Sequence, residues 1–507
     1  MTSCVVYFDG YARSIRNVSP RRSFPGVSEV VACFETVRSS APGRTLLYMP
    51  ATGAEWSADA LWEAHKRYAE RLTQMDVGYG DLVVSAAGNS AASVAFLLAC
   101  RAVDAAVLPL DSGTTAQELL SLAQRLGAQA LLLPVDPHDP APDGECIRLL
   151  DEPMRLSRGP ETTRRRYAGA AVLKLTSGST SVPKSAVTSE AQLIADSARI
   201  AAAMHIRPSD VQMATIPVSH AYGLGNLVLP LLLQGTRLVL RQSFVPQQLL
   251  GDAAHYHAQT FQGVPFMFHY FLLMPSTVDW PRSLTSLISA GAPLQAEIVR
   301  GFFERFGLKI HSFYGSSESG GIAFDAGDEI DDSGTVGAPL PGVTVTLRDT
   351  EDARGRIHVA SDAVSSGYAD GENDAFTDGG FLTGDCGRWD DRGRLSLAGR
   401  VSSFVNVAGH KVRPDEVEEV LRTMPGVADV RVIGADDSRR GEQIVACIVA
   451  EHVGSIPALA VRRFCAARLA PYKIPRAVVF VGTIPTTARG KVDRAAIADL
   501  VRGQLSV

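Results

Sequence analysis

Lysine is nearly missing from this chain. Of its 49 lysine and arginine residues only seven are lysine: Lys66, Lys174, Lys184, Lys309, Lys411, Lys473 and Lys491. A GC-rich coding sequence gives such a skew. Yet a chain that avoids lysine and keeps one in Pro183-Lys184 and one in Gly490-Lys491 has a use for an ammonium there, because planar arginine is a poor stand-in for a point charge in a tight pocket. Other absences narrow the function. The net charge of −5 gives no basic surface for nucleic acid. The seven cysteines, at 4, 33, 100, 146, 386, 447 and 465, contain no C-x-x-C and suit reduced, mostly buried thiols. Met1 to Phe24 holds no apolar core of a signal peptide, and the most apolar run, Ala91 to Leu110, is broken by Arg101 and Asp104. These absences predict a soluble cytoplasmic protein with no nucleic-acid and no membrane partner.

What is present is concentrated in Lys174-Leu-Thr176-Ser177-Gly178-Ser179-Thr180-Ser181-Val-Pro183-Lys184. The stretch is apolar to Leu175, then rich in hydroxyls and glycine, then closed by a proline-fixed lysine. A strand running into a phosphate-holding loop has this composition: backbone N–H groups and short hydroxyls donate to phosphate oxygens, Gly178 permits close approach, and Lys184 adds a mobile charge. It is not the usual P-loop, since Pro183 stands where G-x-x-x-x-G-K needs glycine.

At 507 residues, with 46% hydrophobic and 20% charged residues, the chain can bury a large core. Residues 56–73 predict a helix with an Asp/Ser entry, 81–87 a buried strand, 91–103 a helix, 105–110 a strand, 116–126 a helix and 128–133 a strand. Alternation of this kind implies a parallel sheet covered on both faces. It resumes from Ala171, with a helix at 192–204 and strand or strand-helix pieces at 228–240, 258–263 and 284–289. From about Thr335 short β segments predict a β-rich subdomain. After Arg400 come a helix at 414–423, strands near 429–433 and 443–450, a helix at 457–468 and a strand at 477–481. The expected fold is therefore α/β: a large N-terminal domain, 1–400, with doubly wound sheets and a β-rich subdomain, then a small mobile α+β domain, 401–507.

Four further segments have the composition of a site, each with an ordinary alternative. Phe313-Tyr314-Gly315-Ser316-Ser317-Glu318 could deliver a stacking ring, hydroxyls and a carboxylate for Mg²⁺, or be a plain strand-end turn. Asp385, after Gly384, is either a turn residue or a grip on ribose hydroxyls, with Arg400 following Gly399. Gly291-Ala292-Pro293 lets backbone approach a flat ring, or simply joins strand to helix. Lys491, beside Gly490, would alone be an idle surface lysine. Gly223-Leu-Gly225 lacks the third glycine of a dinucleotide fingerprint, and His255, His257 and His269 lack zinc spacing.

Together, in one order in one chain, these segments resemble the adenylate-forming superfamily of acyl-CoA synthetases, non-ribosomal peptide synthetase adenylation domains and luciferases. The loop is similar to that family's T-S-G-[ST]-T-G-x-P-K. Pro217-Val-Ser-His220-Ala-Tyr222-Gly, Gly263-Val-Pro265, Gly334-Thr-Val-Gly337-Ala-Pro339, Gly409 with Glu416-Val-Glu418, and Pro471-Tyr-Lys473-Ile-Pro475 extend the match over nearly the whole chain. The resemblance implies an ATP-dependent, AMP-forming acid ligase with ATP and Mg²⁺, and CoA as a further cofactor. An acid oxygen attacks the α-phosphorus of ATP, and the acyl-adenylate then passes its acyl group to CoA or to a carrier-protein phosphopantetheine. It implies that the loop of Thr176, Ser177, Gly178, Ser179, Thr180 and Lys184 holds pyrophosphate, and that Glu318 binds Mg²⁺. Ser317 helps hold phosphate. Tyr314, with Gly291, Ala292 and Pro293, sandwiches adenine; Asp385 and Arg400 hold ribose. Lys491 serves catalysis with Glu318, Thr180 and Lys184. Relatives rotate the small domain between the half-reactions, which swings Lys491 away and brings the Gly409 loop in.

The acyl pocket falls on His220, Tyr222, Phe261 and Gly315, with Phe266 nearby, which suits an aromatic or medium acyl group. His220 lies about where amino-acid-activating domains place an Asp, which argues against an α-amino acid. The chain departs from the family at Ser181 and Ser185, usually glycines, at the hinge position Ser402 and at Asn406. Two alternatives stay open: an ATP-dependent diazotase using nitrite and an arylamine, and a catalytically silent ligand-binding member.

Overall fold

The computed structural model describes residues 28–135, 145–147, 153–160, 166–176, 184–330, 334–351, 353–370, 373–400, 405–407, 410–412, 414–437, 441–452, 454, 456–469, 471–486 and 492–505. The chain forms two compact units. One comprises residues 1–348, 357–383 and 388–397; the other comprises 349–356, 384–387 and 398–507.

The first unit is built on two sheets. In the seven-stranded sheet the parallel strands Ala130–Pro134, Leu82–Ser85, Ala106–Pro109 and Val172–Leu175 lie side by side, in that order. Leu82–Ser85 is buried at every position, as a strand covered on both faces must be. Ser185–Thr188 then folds back antiparallel on Val172–Leu175, so the loop of Ser177 to Pro183 joins the ends of two paired strands. The second sheet runs parallel through Thr45–Met49, Arg237–Leu240, Val211–Ala214, Thr260–Gly263, Ser286–Ser289 and Ile310–Ser316. It turns antiparallel at Gly320–Phe324 and Thr335–Pro339.

Helix entries are set by side chains that satisfy the free N–H groups of the first turn. Ser57 caps Ala58–Gln74 through Ala60 N, and Ser90 caps Ala91–Ala102 through Ser93 N. Ser189 and Gln192 form a reciprocal capping box on Glu190–Ala203. The last of these helices starts two residues before the expected 192–204. The stretch 228–240 is more varied than its composition suggests. A π-helical turn, Leu224–Val228, runs into a short helix, Leu229–Gln234, and only Arg237–Leu240 is strand. Helix Glu29–Ser40, hairpin Thr45–Ser57 and helix Arg494–Leu505 are further elements beyond those the sequence predicts.

In the second unit Gly441–Ala450 is central. It pairs antiparallel with Val427–Asp437 and Val405–Val407, and parallel with Ala477–Phe480. Helices Pro414–Arg422 and Ala458–Ala466 contribute Val417, Leu421, Val461 and Cys465 to its core. Glu418 is buried there because Oε1 accepts from Val432 N at 2.8 Å and Oε2 from Arg422 at 2.6 Å.

Candidate active site

Both sheets of the first unit aim residues of the expected site from strand ends. Thr176 follows the strand Val172–Leu175 and is buried; its N–H donates to the Lys184 carbonyl at 2.8 Å, which closes the base of the loop. Ser177, Gly178, Ser179, Thr180, Ser181 and Pro183 lie outside the described residues, as do Ser402, Gly409 and Lys491. Ser185, a departure from the family pattern, opens the return strand and is fully buried.

Glu318 follows the strand Ile310–Ser316 in a tight hairpin. Ser316 Oγ accepts from Ser319 N at 3.1 Å, and a side chain on Gly320, at φ +71°, would collide with the Asp196 carboxylate. Asp196 Oδ1 accepts the Gly321 N–H at 2.8 Å, so helix Glu190–Ala203 fixes the hairpin that carries Glu318. Lys174 is 3% exposed in this region. Burial lowers its pKa, opposed by the fields of Asp196 and Glu318. Burial likewise raises Asp196, opposed mainly by Lys174.

Lys184 and Glu318 are brought together by a residue the sequence did not single out. The Lys184 ammonium lies 4.7 Å from the centre of the Tyr368 ring, and the Tyr368 hydroxyl donates to Glu318 Oε1 at 2.9 Å. Burial, then the adjacent carboxylate, pushes the phenol pKa well above its ordinary value. Tyr368 sits after Gly367, a dipeptide with no periodic or charge signature.

Gly291, Ala292 and Pro293 follow strand Ser286–Ser289 and are exposed, open to a planar group. Tyr314 is buried on Ile310–Ser316, with Gly315 exposed after it and Ser317 partly exposed. Tyr222 donates to the carbonyls of Gly263, at 3.3 Å, and Ile288, at 3.4 Å, and its ring lies 5.9 Å from Phe313. Phe261 is fully buried, packed edge-on against Phe268 and Phe271. Phe266 is 40% exposed beside Phe244 and Tyr270.

His220 is held at Nε2, 3.1 Å from Asp111 Oδ2, while Ser219 donates to Asp111 Oδ1. The 217–220 loop is tied down by Asn89, whose Oδ1 accepts from Val218 N at 2.8 Å. Asp111 and Asn89 had no motif to mark them. Asp385 lies on strand Gly380–Trp389 at a position assigned to the second unit, and Arg400 ends strand Leu395–Arg400, its side chain outside the described residues. Asn406 lies on Val405–Val407, with its side chain likewise outside them.

The model of the AMP-binding enzyme family matches residues 34–369, and that of the AMP-binding enzyme C-terminal domain matches 416–491. The chain belongs to the AMP-binding enzyme family. This AMP-binding enzyme is 28% identical over 455 residues to a feruloyl-CoA synthase of Amycolatopsis, covering 84% of this chain and 90% of that one. It is 26% identical over 501 residues to 4-coumarate–CoA ligase-like 8 of Arabidopsis thaliana, covering 92% and 90%. Among solved structures, ATP-bound MatB from Rhodopseudomonas palustris superposes with a TM-score of 0.75 at 24% identity, over 92% of this chain and 98% of that one. The amide bond synthetase McbA from Marinactinospora thermotolerans gives 0.74 at 25%, over 92% and 99%. The fold of the AMP-binding enzyme is thus the α/β architecture with a smaller C-terminal domain that the sequence predicts. Among the described residues no helix is long and apolar enough to cross a membrane.

Proposed function

We infer that this enzyme is an AMP-forming acid ligase that activates an aryl or acyl carboxylic acid with ATP and transfers the acyl group to CoA. The observation that carries the reading is the joint match of the large and the C-terminal family models, the second reaching Lys491. In the first step the acid's carboxylate oxygen bonds to the α-phosphorus, the bond to the β-bridging oxygen breaks, and pyrophosphate leaves. In the second, a thiol sulfur bonds to the acyl carbon, AMP leaves and the thiol proton passes to solvent. CoA is therefore a substrate and not, as the resemblance implies, a cofactor.

The donor set fits Mg²⁺. Glu318 offers a hard carboxylate whose Oε1 is taken by Tyr368, which leaves Oε2 for another ligand, and magnesium ordinarily takes one or two carboxylates together with substrate phosphates. Bound there, the ion would neutralise charge developing on the leaving pyrophosphate. Lys184 and the loop of Thr176 to Thr180 hold that group. Tyr314 and Gly291–Pro293 sandwich adenine, Asp385 and Arg400 hold ribose, and Lys491 bridges acid and α-phosphate before the C-terminal domain, from about 400–403 onward, moves away. Tyr222 and His220 border the acyl group. Phe261, packed in the core, shapes this border from behind rather than touching substrate.

The relatives are CoA ligases and synthetases and give the diazotase alternative no support. The test is pyrophosphate and AMP release from MgATP across aryl, fatty and amino acids, with CoA, carrier protein or an amine as acceptor. Release with one acid, quickened by CoA, establishes the ligase. Release only with an amine moves the acceptor to amide formation, and silence with every acid overturns the reading in favour of a ligand-binding member.

A further inference from the structure

We propose that Tyr368 is a positioning residue that couples the Glu318 carboxylate to the Lys184 ammonium, so that Mg²⁺ and the phosphates of ATP are bound as one unit. The inference rests on the reading of Glu318 and Lys184 given above, and extends it to a residue outside every motif that led there.

The two groups come from different sheets. Lys184 precedes strand Ser185–Thr188 of the seven-stranded sheet, and Glu318 follows strand Ile310–Ser316 of the other. Residues 365–369 staple them. On one side this segment runs along Ser185–Thr188: Val187 N donates to Gly367 O, Ser366 N to Val187 O and Ala369 N to Ser185 O, each at 2.8 Å. Thr188 and Ser365 hydroxyls lie 2.9 Å apart. On the other side Ser365 N donates to the Glu318 carbonyl at 2.7 Å. Tyr368 itself is locked by its N–H donating to Asn373 Oδ1 at 2.6 Å and by the Phe376 ring, edge-on at 5.1 Å. Gly367 adopts φ +138°, which a larger residue resists, and any side chain there would crowd Asn373.

From this fixed base one side chain serves both partners. Its hydroxyl orients the carboxylate, as outer hydrogen bonds orient metal ligands generally, and its ring face holds the ammonium. The two binding events are thereby linked through one ring.

The test measures binding, not turnover. Affinity for a non-hydrolysable ATP analogue is titrated calorimetrically with and without Mg²⁺ for the wild type, Tyr368→Phe and Tyr368→Leu. The wild type shows a gain in affinity with Mg²⁺. Tyr368→Phe, which keeps the ring, loses roughly tenfold of that gain, the usual weight of a hydrogen bond to a charged group, with its Mg²⁺-free affinity unchanged. Tyr368→Leu also weakens Mg²⁺-free binding. An unchanged Mg²⁺ gain in Tyr368→Phe overturns the coupling while leaving the ligase reading intact. A wild type that binds no ATP analogue overturns the ligase reading and the coupling with it.

Discussion

Asp111 holds His220: Oδ2 lies 3.1 Å from the imidazole Nε2, and Oδ1 accepts the Ser219 hydroxyl. Asp111 follows strand Ala106–Pro109 of the seven-stranded sheet, whereas His220 follows strand Val211–Ala214 of the other. One carboxylate thus fixes a loop that belongs to the opposite layer. Asp111→Ala is expected to raise KM for the acid by roughly tenfold, as for a lost hydrogen bond to a charged group, and to leave KM for ATP unchanged. Asp111→Asn keeps the geometry and recovers part of the loss. A KM for ATP that rises equally contradicts a role confined to the acyl side.

Asn89 braces the same loop from beneath. Its amide donates to Ile216 O at 3.1 Å and Arg241 O at 2.9 Å, and accepts from Val218 N at 2.8 Å. It is 8% exposed, so water cannot replace those bonds fully. Asn89→Ala is expected to cost about 1–3 kcal/mol, read from urea unfolding. Asn89→Asp, which puts a charge against two carbonyls, costs more. Loss of stability without change in acid KM would separate this brace from the Asp111 contact.

His65 gives the fold an acid limit. It is buried against Trp62, with ring centres 4.3 Å apart, and burial pulls its pKa from 6.5 to about 4. As pH falls, the unfolded imidazole takes up its proton near 6.5, while the folded one stays neutral until about 4. The stability tied to the neutral ring is therefore full above pH 6.5 and lost progressively down to about pH 4, on the order of 3 kcal/mol. His65→Phe should flatten that part of a stability-versus-pH curve. An identical slope in the variant would assign the effect to other groups.

Lys491 is expected to act in the first half-reaction alone. Lys491→Ala should slow adenylation roughly 10²-fold or more, as for loss of a charge contact made in the transition state, and spare transfer from a preformed adenylate. Stopped-flow measurement of each step on its own checks this; equal loss in both contradicts the role.

Much of the architecture was legible because its signals are local. Helix 116–126 was readable to the residue from an amphipathic period between Thr115 and Gly127, which cap it. Strands 82–85 and 106–109 showed as short apolar runs. The π turn at Leu224–Val228 was not legible, since a run such as Leu-Gly-Asn-Leu-Val carries no period that separates it from helix or strand. Phe261 looked like a pocket wall because aromatic character does not say which face of a strand meets the core. The structure buries it against Phe268 and Phe271.

By itself the sequence determined the family, and with it the class of reaction, through glycine, hydroxyl and lysine residues at fixed spacings, a signal carried by atoms a few positions apart. Which distant residues stand against the expected site was decided only by the tertiary structure. Asp111 stands 109 positions from His220, and Tyr368 stands 50 from Glu318. Such pairs form when strands from distant parts of the chain are set side by side, and sheet order and register are fixed by burial and hydrogen bonding of the whole domain, not by spacing along it.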